Sequence, residues 1–324
     1  MINLRLAIVE HSAELPAMEC GNFFHSAALF GIYESTPRMR PLMVVASDGA
    51  GRVLAHLLAV VRRRSWALPP FFYSHCIVLG EGEYAAGADR EALFGRMLAA
   101  LTRRLQGRVL YIEFSHLGSK MFGYAKFRGC GFFPIHWLNV HNSLHSRKPE
   151  ERLGARMRRR IERVCRRDVV TAEVAGEADL EAFCHLLKRH NRLKPKRYIP
   201  DMNFFRELLK TGNGKLFLTK HKGRVVGCCA CVFSAGNAYL WYSAALRKSY
   251  ARLHPLTATV WNAIKYAHEN KYAHMCFMDV GLPFQRNPYR EFILQFGGKP
   301  VSTYRWFRFS FKWVNALLAW LYRD

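Results

Sequence analysis

The sequence is poor in acidic residues. Asp and Glu number 24 against 49 Lys and Arg, so the formal charge of this 324-residue chain is +25. Folding does not require such a surplus, and half of the residues are hydrophobic, which excludes a disordered chain. The charge predicts a polyanionic partner: tRNA, an anionic membrane surface, or phosphorylated substrates and carriers.

The chain also lacks the residue patterns of a metal site or a disulfide framework. Its nine cysteines are an odd number and no His-rich metal spacing accompanies them. Cys228, Cys229 and Cys231 lie in the run VVGCCACVF, which is typical of a buried strand. We therefore expect no metal, no permanently bound cofactor and a reducing, cytoplasmic location.

Long apolar runs are absent as well. No segment reaches the roughly 18 uncharged apolar residues of a membrane span. The first residues carry Glu10, His11 and Glu14 where a signal peptide needs a continuing apolar core. These absences argue against export, and any membrane association is expected to be peripheral, on the inner face.

The most informative pattern is an internal repeat. GRVLAHLLAVV from Gly51 recurs as GRVVGCCACVF from Gly223, and LYIEF with Glu113 recurs as CFMDV with Asp279. In each half a helix and a pair of glycines follow. A nearly constant distance between matching landmarks predicts duplication of one mixed α/β unit. We expect two domains, 1–146 and 147–324.

A basic helix is predicted between the halves, over residues 150–167. Leu153, Met157, Ile161 and Val164 are spaced to face the protein. The other positions hold eight arginines: Arg152, Arg156, Arg158, Arg159, Arg160, Arg163, Arg166 and Arg167. Such a density repels itself unless an anion is nearby, so it indicates an anion site that includes Arg159 and Arg163.

The chain ends in an aromatic helix predicted over 313–322. Trp313 and Trp320 stand among leucines in this segment. Two interpretations remain open: peripheral contact with a membrane interface, or a cap on the C-terminal lobe.

Residues 150–310 resemble the C-terminal unit of FemAB-type and related tandem GNAT acyltransferases. The resemblance rests on the order of MRRRIERVCRR, DLEAFCHLL, FFRELL, GRVVGCCACVF, MDVGLP and FGGKPV. It implies an α/β (α+β) fold of two tandem acetyltransferase-like mixed-sheet domains forming a cleft. It also implies transfer of an activated acyl or aminoacyl group to an amine acceptor, with acyl-CoA, acyl carrier protein or aminoacyl-tRNA as co-substrate.

The sequence departs from this family at two places. Phe292-Ile293 stands where FemAB-type proteins commonly have an aromatic residue followed by lysine. Neither half carries the glycine-rich pyrophosphate loop of ordinary acetyltransferases. The matching stretch offers Arg247, Lys248 and Arg252 instead, and side-chain cations can replace backbone amides in binding phosphate.

Amine acylation needs a proton acceptor and donors for the developing oxyanion. Asp279, at the end of an apolar strand, is the expected base, and capping of the next turn is its alternative role. Tyr242 is a candidate proton donor or a core aromatic residue, and His254 a candidate base or phosphate contact. The predicted polar lining comprises Arg247, Arg286, Asn287 and Tyr289. Glu113, in the equivalent position of the first half, is expected to be structural.

A function of another class fits the same composition. If both acetyltransferase-like sites are inactive, the chain is a basic module that binds nucleic acid or an anionic membrane.

Overall fold

Contacts divide the protein into two compact units. In this computed structural model the described residues are 4–65, 72–116, 118–192, 197–278 and 280–322. Unit 1 comprises Met1–Trp137 with Ser302–Asp324, and unit 2 comprises Leu138–Val301. Residues 302–324 thus group with the N-terminal part of the chain, whereas the sequence led us to assign them to a C-terminal domain.

The strands, in chain order, are β1 (Arg5–Val9), β2 (Met39–Ser47), β3 (Val53–Ser65), β4 (Phe72–Leu79), β5 (Glu83–Tyr84), β6 (Tyr111–Ser115), β7 (Phe133–Ser143), β8 (Val169–Glu173), β9 (Gly214–His221), β10 (Arg224–Ser234), β11 (Asn237–Ala245), β12 (His274–Phe277) and β13 (Lys299–Phe309). The α-helices are α1 (Ala27–Ser35), α2 (Arg90–Leu105), α3 (Tyr124–Gly129), α4 (Ala155–Cys165), α5 (Glu177–Asn191), α6 (Met202–Lys210), α7 (Pro255–Glu269), α8 (Pro288–Leu294) and α9 (Lys312–Leu321).

The same order of elements occurs twice, as the repeat in the sequence predicted. Three antiparallel strands are followed by a helix, a strand parallel to the third, a short helix and a long strand. The first copy is β2-β3-β4-α2-β6-α3-β7, and the second is β9-β10-β11-α7-β12-α8-β13. The mixed α/β class is therefore confirmed.

In unit 1 the strand order is β1-β2-β3-β4-β6-β13, with β5 paired to β3. The turn at 48–51 joins β2 to β3, because the Asp48 carboxylate accepts hydrogen bonds from the backbone of Ala50 and Arg52. The core face of helix α2 includes Phe94 and Leu98. The core is aromatic where the ring of Phe127 stacks on Trp306 at 4.6 Å between centroids.

In unit 2 the strand order is β7-β12-β11-β10-β9-β8. Cys228, Cys229 and Cys231 of β10 are buried, which confirms that VVGCCACVF is a core strand, and burial raises the pKa of Cys228 and Cys229. Ile293 is buried in the same core. The position at which the family commonly has lysine therefore points into the apolar interior.

Helix α4 is shorter than expected. A 3-10 turn (Pro149–Arg152) precedes it, so the predicted helix over 150–167 is interrupted at Leu153 and Gly154. The predicted apolar face is confirmed, because Leu153, Met157, Ile161 and Val164 are all buried.

Candidate active site

Two parallel strands of unit 2 differ in length. β11 pairs with β12 only through Ala238–Leu240, and β11 then continues to Ala245 whereas β12 ends at Phe277. The register between β10 and β11 skips Trp241, which is a bulge that bends β11. No described residue of β12 pairs with 241–245, where the Trp241 carbonyl accepts from Arg197 and the Ala245 carbonyl lies 3.1 Å from the His190 ring.

Unit 1 has no such opening between the equivalent strands. β4 and β6 are paired through their last residues, Leu79 and Ser115. The helix that follows β4 also begins with acidic side chains, because Asp89 caps α2 and Glu91 lies in its first turn. A phosphate would be repelled there. The candidate site therefore lies in unit 2.

A cavity of about 230 Å³ lies at the N-terminus of α7, beyond the free end of β11. Its lining residues are Arg160, Arg247, Ala251, His254, Pro255, Leu256, Thr257 and Phe292. Among these residues three side chains are basic and none is acidic. The positive end of the helix dipole adds to this field, since α7 has 15 residues and begins at Pro255. The cavity is suited to a phosphate group.

The basic side chains around this cavity are close enough to shift one another's pKa. Burial, followed by the charges of Arg156 and Arg163, lowers the pKa of Arg160. Burial, followed by the charges of Arg160, Arg163 and Arg167, lowers the pKa of His254. Arginine remains cationic after such a shift, whereas His254 is neutral at pH 7. A bound anion would relieve the repulsion among the arginines.

The loop between β11 and α7 is anchored to the Arg-rich helix segment. The guanidinium of Arg167 donates to the backbone carbonyl of Arg252 at 2.7 Å. Thr257 donates its backbone N–H to the carbonyl of His254 at 2.8 Å, which closes the first turn of α7. Partial burial lowers the pKa of Arg247, and nearby Tyr289 acts in the opposite direction. The loop backbone on both sides of Leu253 is therefore held in place.

Asn287 organises the polar segment after β12. Its side-chain oxygen accepts from the backbone N–H groups of Tyr289 and Arg290 and caps α8, while its amide donates to the carbonyl of Val280 at 2.9 Å. Gly281 has φ +89°, and a Cβ there would lie 2.5 Å from the Asn287 amide. Both features hold the backbone that directly follows Asp279.

Arg290 reinforces the same segment. Its guanidinium donates to the carbonyls of Leu282 at 2.6 Å and Gln285 at 2.7 Å. Tyr289, on the opposite side of the Asn287 cap, places its hydroxyl 3.4 Å from the Ser243 hydroxyl on the free end of β11. Tyr289 thus joins α8, the open strand end and Arg247 in one polar group.

The predicted site residues fall into four groups. Arg247, His254, Asn287 and Tyr289 come together around the open end of β11. Tyr242 is buried, with its ring against Phe205 and Trp241 and the Arg197 guanidinium 5.7 Å from its centroid, as in the core interpretation. Arg286 is exposed and pairs with Glu291, and Arg159 and Arg163 are exposed on α4 outside the cavity lining. Asp279 lies outside the described residues, and β12 ends two residues before it.

The sequence analysis included Arg160 only among the eight arginines of the predicted anion site. It could have been singled out, because it lies three residues after Met157 and four before Val164, beside the buried stripe of α4. No site role was predicted for Ser243, Arg290 or Phe292. The positions of Ser243 and Phe292 in the site depend on where the pairing of β11 ends and where α8 packs.

Neither a metal site nor a membrane span is found in the described parts of the chain. There, no three His, Cys, Asp or Glu side chains are grouped to hold a metal ion. No helix with described residues has the length and apolar content to cross a bilayer.

Comparisons with known proteins agree with this geometry. Residues 152–286, which include the cavity residues except Phe292, match the model of the acetyltransferase (GNAT) domain family. No sequence among curated proteins matches the chain.

Solved structures match over nearly the whole chain. FemX has 11% sequence identity and a TM-score of 0.62, with 93% of this chain and 94% of FemX covered. The C-terminal domain of a proposed lysylphosphatidylglycerol synthetase from Agrobacterium fabrum has 10% identity and a TM-score of 0.57, with 92% and 91% covered. A tandem GNAT protein from the clavulanic acid biosynthesis pathway has 10% identity and a TM-score of 0.55, with 95% and 99% covered.

At these identities the solved structures establish the fold. Residues 152–286 are similar to the GNAT acetyltransferase domain, and the chain has the fold of FemX and of a tandem GNAT protein.

Proposed function

We propose that the protein is an N-acyltransferase or aminoacyltransferase. It moves an acyl group from a phosphate-bearing carrier, either an acyl thioester or an aminoacyl-tRNA, to an amine acceptor. The pathway class is cell-wall, lipid or surface-polymer biosynthesis, supported by the likeness to FemX and to the proposed lysylphosphatidylglycerol synthetase.

The observation that carries the proposal is the basic cavity at the start of α7, next to the open end of β11. Arg160, Arg247 and the N-terminus of α7 would bind a phosphate of the carrier. The part of β11 that continues beyond its pairing with β12, at Ser243 and Ala244, would lie along the linear acyl-carrying arm, as an added strand does. With the phosphate in the cavity and the arm along β11, the reactive carbonyl would be directed towards the segment that contains Asp279.

In the reaction the amine nitrogen attacks the carbonyl carbon, and a C–N bond forms as the C–S or C–O bond to the carrier breaks. The amine loses one proton, and the leaving sulfur or oxygen gains one. We assign proton acceptance to Asp279 and positioning of the acceptor to Tyr289 and Ser243. His254, neutral at pH 7, contributes a hydrogen bond to the carrier in the cavity. Arg159 and Arg163 extend the positive surface by which the carrier approaches.

The test compares two donors on the purified full chain. Acetyl-CoA and longer acyl-CoA species form one arm, and a charged tRNA pool forms the other, with binding measured by calorimetry. Arg247→Ala is expected to weaken the productive donor about tenfold or more, since a charged hydrogen bond is lost. Lys210→Ala removes one positive charge from α6 of the same unit, where Lys210 pairs only with Glu207 at the surface, and is the matched control.

The product is sought by mass spectrometry of lipid and cell-wall extracts from cells that express the wild type or Asp279→Ala at equal level. A new acylated amine with the wild type, lost in the variant, is the expected result. If neither donor is bound selectively and neither extract changes, the chain is instead the non-catalytic basic module, and the proposed transferase is wrong.

A further inference from the structure

The C-terminal helix of unit 1 presents an apolar face to solvent. The side chains of Trp313, Leu317, Trp320 and Leu321 are 72%, 53%, 65% and 61% exposed. None of the residues of α9 is fully buried, and the helix groups with unit 1. The four positions are separated by four, three and one residues, which places them on one side of the helix.

The helix is nevertheless fixed to unit 1. Asn315 accepts the backbone N–H of Phe309 at 2.8 Å and donates its amide to the carbonyl of Gly131 at 3.0 Å. Ser310 donates its backbone N–H to the carbonyl of Leu110 at 3.0 Å. Asn315 therefore faces the protein together with the half-buried Val314 and Leu318, whereas the two tryptophans face outward.

Basic side chains surround the anchored end of this helix. Lys312 begins α9 and is exposed. Arg108 is exposed next to Val109, whose carbonyl accepts the Ser310 hydroxyl, and Arg128 is exposed near the Gly131 carbonyl that accepts from Asn315. An apolar face with a cationic rim is complementary to the headgroups and acyl chains of an anionic bilayer.

The patch is better matched to a membrane than to a second protein. Two tryptophans and two leucines offer on the order of 600 Å², and a stable protein interface needs roughly 800 Å² from each partner. Tryptophan is also the side chain that concentrates at the membrane–water boundary. We propose that α9 docks unit 1 on an anionic lipid bilayer, with Trp313, Leu317, Trp320 and Leu321 inserted into the interface. This inference does not depend on the proposed transferase activity.

The test uses the full chain and two kinds of vesicle, phosphatidylcholine alone and phosphatidylcholine mixed with phosphatidylglycerol. Co-sedimentation at about 0.15 M salt is expected for the mixed vesicles. The double variant Trp313→Gln with Trp320→Gln is expected to bind them at least tenfold more weakly, because each lost tryptophan removes about that factor. Because glutamine leaves the net charge unchanged, a loss of vesicle binding reports the loss of tryptophan insertion and not a loss of electrostatic attraction.

Val170→Gln is the matched control. Val170 is 59% exposed on β8 in unit 2, and its replacement is expected to leave vesicle binding unchanged. Thermal unfolding of each variant checks that the fold is intact. Equal binding by the wild type and the double variant would overturn the proposal in favour of general attraction by the basic surface. The proposal would also be overturned if the wild type did not bind vesicles. Formation of a dimer by the wild type, but not by the double variant, would overturn it as well.

Discussion

The guanidinium of Arg305 lies 3.1 Å from the carboxylate of Glu113, joining β13 to β6 across 192 positions of sequence. Only 10% and 13% of these side chains are exposed. Arg305 also lies 3.9 Å from the centroid of the Trp137 ring. Glu113 therefore acts in the packing of unit 1, in line with its expected structural role.

We predict that Glu113→Ala lowers the free energy of unfolding by about 3–5 kcal/mol, because it leaves a buried guanidinium without its counterion. The double variant Glu113→Gln with Arg305→Met removes both charges and is expected to recover most of this loss. Urea unfolding of the wild type, Glu113→Gln, Arg305→Met and the double variant gives the coupling energy between Glu113 and Arg305. Additive effects of the single changes would contradict a direct charge interaction.

This ion pair also marks where prediction from sequence stops. Local patterns were enough for the core strand VVGCCACVF, for the apolar face of α4 and for the duplicated order, because each is visible in short stretches of sequence. The packing of 302–324 with the N-terminal unit depends on pairing across most of the chain, as between Phe307 and Glu113. No periodicity in β13 specifies that partner.

The candidate site was predictable to a similar extent. His254, Arg247 and Asn287 could be named because a loop before a helix and a polar segment after a strand are visible in sequence. The cavity that joins Arg247 to Arg160 depends on packing between α4 and α7, which is a tertiary relationship. Tyr242 illustrates the opposite limit, since an aromatic residue in a strand has the same sequence signal whether it lines a site or fills the core.

Buried histidines should make unit 1 sensitive to acid. Burial lowers the pKa of His25 to about 3, of His56 to about 4 and of His75 to about 3. These rings stay neutral in the fold, whereas the unfolded chain takes up protons below about pH 6.5. Stability is thus complete above pH 6.5 and is lost as the pH falls towards 4, by about 1.4 kcal/mol for each histidine at pH 5.5.

Thermal unfolding from pH 7.5 to 4.5 measures this loss. His75→Phe preserves the packing of a ring that stacks on Tyr111 at 5.1 Å, and removes one titrating group. Its stability should fall less steeply with decreasing pH than that of the wild type. His185→Gln changes an exposed histidine on α5 and should leave the pH dependence unaltered. If the stability of His75→Phe fell as steeply with decreasing pH as that of the wild type, His75 would not be one of the groups that cause the acid sensitivity.

Asn287 should affect activity more than stability. Asn287→Asp keeps a side-chain oxygen to cap α8 but loses the amide N–H that donates to the carbonyl of Val280, next to Asp279. Asn287→Ala loses both and is expected to cost about 1 kcal/mol of unfolding free energy. If the segment after Asp279 positions the acceptor, both variants lose turnover and only the alanine variant loses stability. Full turnover in Asn287→Asp would show that the bond to Val280 is dispensable.

Adjacent arginines on α4 offer a direct test of the donor cavity. Arg160 lines the cavity and Arg159, one position earlier, is exposed outside it. Each change to glutamine removes one positive charge from the same helix turn, so long-range attraction falls equally in the two variants. Arg160→Gln also removes a charged contact to phosphate and is expected to weaken donor binding by about tenfold.

Arg159→Gln should weaken donor binding only slightly. Its difference from the wild type should disappear at high salt, because an exposed charge is screened. Calorimetry across a salt series distinguishes the two effects, and equal weakening in both variants at high salt would place the phosphate contact outside this cavity.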